Sequence, residues 1–259
     1  MLIDSHAHLA MYEIGGERES VISRAKEVGV TTILTVGTTL EDSRLNLDIA
    51  AHYPGVLTSI GVHPHDVKEV DLGVCLEELR QLARSPQVVA LGEIGLDYYW
   101  NNSPQDMQQI FFRRQLELAK TLGLPVIIHD RDAHEDTLRI IEEVDMSSVG
   151  GVFHCFSGDL AMAERVRELG FLVSIAGPVT FKKAGNLPLI AKMLPLESLL
   201  VETDCPYLAP APFRGKRNEP AYVRYTAAKI AELRGISLEV VAEQTSMNFF
   251  KLFRKAKPY

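Results

Sequence analysis

Short apolar runs rich in β-branched residues alternate with longer amphipathic segments along the whole chain. Eight runs read as strands, over residues 2–5, 32–36, 56–60, 88–92, 125–129, 151–154, 171–175 and 199–203. Helical periodicity occupies roughly 18–29, 40–53, 73–84, 105–123, 134–144, 159–169, 186–194 and 220–234. Strict alternation of strand and helix predicts a parallel sheet. Eight such units within about 235 residues predict closure into a (β/α)₈ TIM barrel of the α/β class. The strand runs are nearly all apolar, as strands covered on both faces must be. Gly29, Gly123 and Gly170 stand where a helix should stop before the next strand. An extra C-terminal helix, about 238–254, should start after Ser237 as N-cap and pack on the barrel through Val241, Phe249, Phe250 and Leu252. The polar stretch 207–219 reads as one long loop, so the expectation is a single domain over 1–259. An open doubly wound sheet is the competing architecture, but it would gather its ligands at one switch point from a few strands.

Composition adds little to the fold and more to the setting. The chain has 259 residues, 46% apolar and 24% charged, the balance of a globular protein with room for a large core. Cys75, Cys155 and Cys205 are odd in number and contain no CxxC pair, which points to a reducing cytoplasm. The opening Met-Leu-Ile-Asp-Ser-His lacks a basic segment followed by a long apolar run, so no signal peptide is expected. No apolar stretch approaches the ~18 residues of a membrane helix, so no membrane association is expected. The net charge of −7 argues weakly against holding nucleic acid by overall charge, though not against a local basic patch or a metal centre.

The chemistry sits where the strands end. The ends read Asp4-Ser5-His6-Ala7-His8, Gly61-Val62-His63-Pro64-His65, Gly92-Glu93-Ile94-Gly95-Leu96-Asp97, His129-Asp130-Arg131-Asp132, His154-Cys155-Phe156-Ser157-Gly158 and Glu202-Thr203-Asp204-Cys205-Pro206. In a barrel all of these share one face. Strand alternation aims His6 and His8 the same way, with Ala7 opposite. Glu93 closes a buried run, where a lone carboxylate is costly; a cation removes the cost, and a buried ion pair with Arg131 is the plainer alternative. His129 and His154 each follow an apolar strand and add two more imidazoles. The i, i+2 relation turns both Glu202 and Asp204 inward. Asp204 suits a ligand that also takes a proton from the attacking water; Glu202 lies deeper and suits a partner that orients an imidazole, or a structural ion pair. Four histidines and two carboxylates fit Zn²⁺, Mn²⁺ or, with carboxylate weight, Mg²⁺.

Around these, His63 could donate a hydrogen bond to a substrate oxyanion, while His65 reads as loop structure. Arg131 could fork onto a phosphate, or pair with Asp130 or Asp132. Asp97 could be an outer contact of a ligand or a loop cap. Cys155 and Cys205 should point away from the site. His52 and His134 fall in helical segments and should face solvent. Lys182-Lys183, and Arg214 with Lys216 and Arg217, follow strands 7 and 8 and put positive charge on the catalytic face; Phe181, Tyr207 and Phe213 beside them could stack on bases.

With these six blocks in order, the chain resembles the TatD family of metal-dependent deoxyribonucleases over essentially its whole length. That resemblance implies one ion on His6, His8, Glu93 and Asp204, and a second on Glu93, His129 and His154, with Glu93 bridging. Related amidohydrolase-type barrels often bridge two metals with a carboxylated lysine at the end of strand 4, where this chain has Glu93. The implied activity is hydrolysis of DNA phosphodiesters, as a 3′→5′ exonuclease, with DNA as partner, no membrane and no obligate protein partner. Glu93 and Asp204 are the expected catalytic residues, and His63 and Arg131 the expected phosphate contacts. The rival readings are an amidase, an ester hydrolase of the same barrel such as a D-aminoacyl-tRNA deacylase, and a non-catalytic metal-binding protein.

Overall fold

The computed structural model describes residues 1–12 and 16–258. Eight strands, β1 (Leu2–Ala7), β2 (Val30–Thr35), β3 (Val56–Ile60), β4 (Val88–Asp97), β5 (Val126–Arg131), β6 (Gly151–Phe153), β7 (Phe171–Ile175) and β8 (Leu199–Val201), pair in sequence order, every neighbour parallel. The ring closes between Ala7 and Cys205, where the Asp204 N–H donates to the His6 carbonyl at 3.0 Å and the His8 N–H to the Cys205 carbonyl at 2.8 Å. Helices α1 (Glu17–Glu27), α2 (Leu40–His52), α3 (Leu72–Leu82), α4 (Gln105–Leu122), α5 (His134–Val144), α6 (Leu160–Glu168), α7 (Leu187–Met193) and α8 (Val223–Arg234) follow the strands in turn. This is the (β/α)₈ barrel expected from the alternation.

Local chemistry sets the helix ends. Thr39, Asp71, Asp159 and Ser237 each accept the backbone N–H three residues on, satisfying a donor that the helix leaves free. The extra helix α9 (Leu238–Leu252) begins after Ser237, as its sequence predicts, and closes the N-terminal end of the barrel. Its Asn248 amide donates to the carbonyls of Leu196 and Leu199, both at 2.8 Å, at the start of β8. Phe249 and Phe253 enter the barrel interior against Ile3, Leu34, Val89 and Val152. A second, larger apolar cluster fills the layer between sheet and helices.

Strand boundaries depart from the pattern where the site begins. The run ending at Gly92 continues as β4 to Asp97, because Gly92 and Gly95 are not turn glycines. Each lets β4 press against β5: a Cβ on Gly95 would lie 1.9 Å from the His129 carbonyl oxygen, and one on Gly92 would lie 2.6 Å from Ile127. β6 and β8 stop earlier than read, at Phe153 and Val201, and the chain turns through left-handed backbone at Cys155 (φ 42°) and Asp204 (φ 55°). Such conformations cost a non-glycine residue energy, which the packing around them must offset. The stretch 207–219 is a loop, pinned by buried Asn218, whose amide donates to the carbonyls of Thr203 (2.8 Å) and Tyr207 (2.6 Å).

Candidate metal centre

Three strands show how the interior changes character in one step. Ile127, Val152 and Leu200 face the interior cluster, and His129, His154 and Glu202 come two residues later on the same faces. On β1 a register shift between Asp4 and Ala7 brings His6 onto the inward side. Buried Asp4 holds this corner: it accepts from the Thr203 N–H at 2.8 Å and the Thr203 hydroxyl at 2.6 Å, tying β1 to the segment that carries Asp204. Burial pushes the Asp4 carboxyl up to about 8 against those hydrogen bonds.

Glu93 is the centre of the arrangement, and its two oxygens face different partners. Oε2 lies 3.3 Å from His6 Nε2 and 4.0 Å from His8 Nε2. Asp204 Oδ1 completes that side, 3.7 Å from His6 Nε2 and 3.3 Å from His8 Nε2. Oε1 lies 2.9 Å from His129 Nδ1, 2.8 Å from His154 Nε2 and 3.4 Å from His63 Nε2. Burial opposes the charge on Glu93, but the surrounding imidazoles, His154 foremost, outweigh it and hold the carboxyl well below the usual range. Burial also opposes charge on His154, and Glu93 and Glu202 outweigh it, so that ring is held well above its ordinary value.

The donor set fits divalent ions. Both nitrogens of the fully buried His6 ring lack a hydrogen-bond partner, as do His154 Nδ1 and Glu202 Oε2. An unpaired buried polar atom is costly, and a cation at the His6 Nε2 position removes the cost. Ligand atoms about 2.1 Å from one ion stand about 3.0–3.4 Å apart in tetrahedral or octahedral arrays, close to the spacings around Glu93. His6, His8 and Glu93 form one group able to hold an ion, and His63, Glu93 and His129 another. His6, His154 and Glu202 form a third, in which the His6 and His154 rings stack at 4.0 Å.

The carboxylate behind His129 decides its tautomer. Asp97 Oδ2 lies 2.9 Å from His129 Nε2, so that nitrogen carries the proton and Nδ1 keeps its lone pair for the site. Glu202 Oε1 accepts the Cys155 N–H at 2.7 Å and sits 3.6 Å from His154 Nδ1. The ring of His63 is different. Its Nδ1 accepts the His65 N–H at 3.2 Å, so the neutral tautomer has its proton on Nε2, facing the cavity. Burial, with His129 nearby, lowers His63 to about 4, which keeps it neutral near pH 7.

A family model described as TatD related DNase matches residues 3–254. The chain belongs to the TatD family of metal-dependent hydrolases. It is 43% identical to the uncharacterized metal-dependent hydrolase YabD of Bacillus subtilis, covering 98% of this chain and 99% of YabD. It is 36% identical to the 3′-5′ ssDNA/RNA exonuclease TatD of Klebsiella pneumoniae, over 97% of each. The crystal structure of the TatD homologue YjjV from Escherichia coli superposes with a TM-score of 0.92 at 34% identity, over 98% of both chains.

Within this TatD fold the expected residues His8, Glu93, His129, His154 and Asp204 line one cavity of about 890 Å³, with His63 and Arg131 on its wall and His6 buried behind Glu93. Several expectations need correction. Cys155 does not turn away: β6 has ended, alternation no longer applies, and the residue lines the cavity; Cys205 is fully buried outside it. His65 is more than loop structure, because its Nε2 meets Asp97 Oδ2 at 2.9 Å. His134 is only partly exposed and pairs with Asp130 at 2.8 Å, and among the described residues Arg131 forms no ion pair with either neighbouring aspartate. Arg131 instead lies 4.0 Å over the Tyr99 ring. Arg217 pairs with Glu17 at 2.8 Å and Phe213 stacks on Tyr222 at 4.1 Å. Tyr99 and Trp100 were missed altogether; they follow a strand that reads as ending at Gly92, and nothing in the local pattern places them at the cavity.

Proposed function

We propose that this TatD-family protein hydrolyses phosphodiester bonds of single-stranded DNA, removing nucleotides from the 3′ end. The observation that carries the reading is the division of Glu93, with Oε2 toward His6, His8 and Asp204 and Oε1 toward His129 and His154. Two divalent ions (Mg²⁺, Mn²⁺ or Zn²⁺) sharing that carboxylate would supply charge against the phosphoryl oxygens and an acidified water. His6, His8, Glu93 and Asp204 would hold one, and Glu93, His129 and His154 the other.

The chain's own residues divide the remaining work. Asp204 sits at the mouth; burial opposes its charge, but the hydrogen bond from His8 and the nearby His6, His8 and His154 rings together outweigh it and keep the carboxyl below the usual value, so it is ionised and able to take a proton at Oδ. His63 directs its Nε2–H at the cavity and donates to a non-bridging oxygen. Arg131, unpaired among the described residues and at the cavity wall, takes a phosphate. Glu202 and Asp97 hold the rings of His154 and His129. The name of the Klebsiella pneumoniae relative, 3′-5′ ssDNA/RNA exonuclease, supports the substrate class and the polarity. The reading treats residues 1–259 as one catalytic domain. It places the protein in the cytoplasm, on the strength of three unpaired cysteines.

The test is cleavage of 5′-labelled single-stranded DNA by metal-stripped protein, with Mg²⁺, Mn²⁺ or Zn²⁺ restored and Asp204→Ala beside it. A ladder shortening from the 3′ end, dependent on metal and lost in the variant, is expected. Folded, metal-loaded protein that leaves DNA intact but cleaves a D-aminoacyl ester would move the substrate to the ester class.

A further inference from the structure

Two large aromatic side chains stand uncovered beside the metal centre. Tyr99 is 56% exposed and Trp100 57%, although each could bury substantial apolar area in the fold. They follow β4 directly, and their rings meet edge to face at 5.1 Å. The Arg131 guanidinium covers the Tyr99 ring at 4.0 Å and stands farther, 5.6 Å, from the Trp100 ring. Trp100 and Arg131 both line the cavity that holds Glu93 and Asp204.

The placement of Trp100 is tied to the chemistry. Asp97 is buried, and its two oxygens serve two purposes. Oδ2 meets His129 Nε2 at 2.9 Å, and Oδ1 accepts the Trp100 N–H at 2.8 Å. A single carboxylate thus fixes a ring of the metal centre and the backbone that carries the exposed indole. The distance between the two is set by a rigid group rather than by a free loop.

We infer that Trp100, backed by Tyr99 and Arg131, is a stacking platform for an unpaired nucleobase next to the phosphate being cleaved. This rests on the nuclease reading and adds a substrate contact to it. The occupant must offer a π-face to the indole and negative charge to Arg131, in the cavity that Glu93 and Asp204 also line. An unstacked nucleotide offers both. Base-paired DNA offers only its backbone, so the platform selects single strands whatever their sequence.

The chain holds one tryptophan, so fluorescence excited to the red of tyrosine absorption reports on Trp100 alone. Metal-loaded protein is mixed in stopped flow with an eight-nucleotide oligo-dA or with an abasic deoxyribose-phosphate strand of equal length. Quenching by oligo-dA, and none by the abasic strand, is the expected result. In steady state, Trp100→Ala should raise KM for oligo-dA roughly 5- to 100-fold, from the worth of one base–aromatic stack, with kcat nearly unchanged. On the abasic strand the same substitution should have no effect. Equal quenching by both strands overturns the platform, and so does a KM change that is the same for both. Should wild-type protein cleave oligo-dA while Trp100→Ala matches it, the platform falls and the nuclease reading stands. Should oligo-dA quench selectively without being cleaved, the platform stands and the nuclease reading falls.

Discussion

The interior of this barrel has two ends built on the same strands and separated by two residues. At the lower level Ile127, Val152 and Leu200 pack against Phe249 and Phe253 of the C-terminal segment. At the upper level the same strands present His129, His154 and Glu202. The lower end gains free energy from every apolar area it removes from water. The upper end buries imidazoles and carboxylates, leaves both His6 nitrogens without partners, and holds non-glycine residues in left-handed backbone at Cys155 and Asp204. One layer stabilises the barrel; the other concentrates chemistry at a cost in stability that the first offsets.

Substitution at each end should therefore fail in a different way. The largest effect belongs to Glu93→Ala. Removing the shared carboxylate should abolish turnover, and the rise in Tm that added Mn²⁺ or Zn²⁺ gives the wild type should vanish, because that rise is binding to the folded state alone. Retained metal stabilisation in this variant would remove Glu93 from the centre of the site. Asp204→Ala should lower kcat by about 10²- to 10⁴-fold, the range for loss of a positioned proton acceptor, with far-UV circular dichroism unchanged.

Phe249→Ala should do the opposite. Its ring is fully buried at the closed end, so its loss should cost about 3–5 kcal/mol in urea unfolding. Below the unfolding transition its kcat should match the wild type. A large fall in kcat without a fall in stability would show that the two ends are coupled rather than layered.

The lower layer was legible from the sequence almost completely, because apolar periodicity is the signal that burial leaves. Among the described residues the eight strands and nine α-helices follow it to within a few residues, β4 apart. The polar side chains gathered around Glu93 were legible as a group for a different reason: a polar residue at the end of an apolar strand has few structural explanations. What escaped depended on backbone that no period describes. The strand read as ending at Gly92 runs on to Asp97, and Gly95 is a point of close strand contact within it. Cys155 was assigned by alternation, two residues after β6 ends. The pairing of Asp97 with both His129 and the Trp100 N–H joins residues through three-dimensional proximity that spacing does not encode.

Asp97 offers a subtler break. It touches the His129 ring from behind, so Asp97→Asn should weaken metal affinity by about 10- to 100-fold, the usual cost of losing such a partner, while sparing the fold. Isothermal titration with Mn²⁺ reads this directly, and unchanged affinity would leave His129 oriented by the packing alone.

The smallest effect sharpens the contrast between imidazoles inside and outside the barrel. His129 faces the interior, whereas its neighbour Asp130 alternates outward and pairs with His134 at the start of α5. The hydrogen bond to Asp130 outweighs partial burial and raises His134 above its ordinary 6.5. The sign follows: a histidine raised by its partner contributes stability that is fully present below about pH 6.5 and lost as pH climbs through the raised value. The imidazole is more than a third exposed, so solvent screening limits the pair to well under about 1 kcal/mol. His134→Ala should therefore unfold slightly more easily than wild type at pH 5.5, and the difference should close by pH 9, with turnover unaffected throughout. A difference in urea midpoint that persists undiminished at pH 9 would show that His134 acts through packing rather than charge, and the exposed pair would then join the structural layer of the molecule.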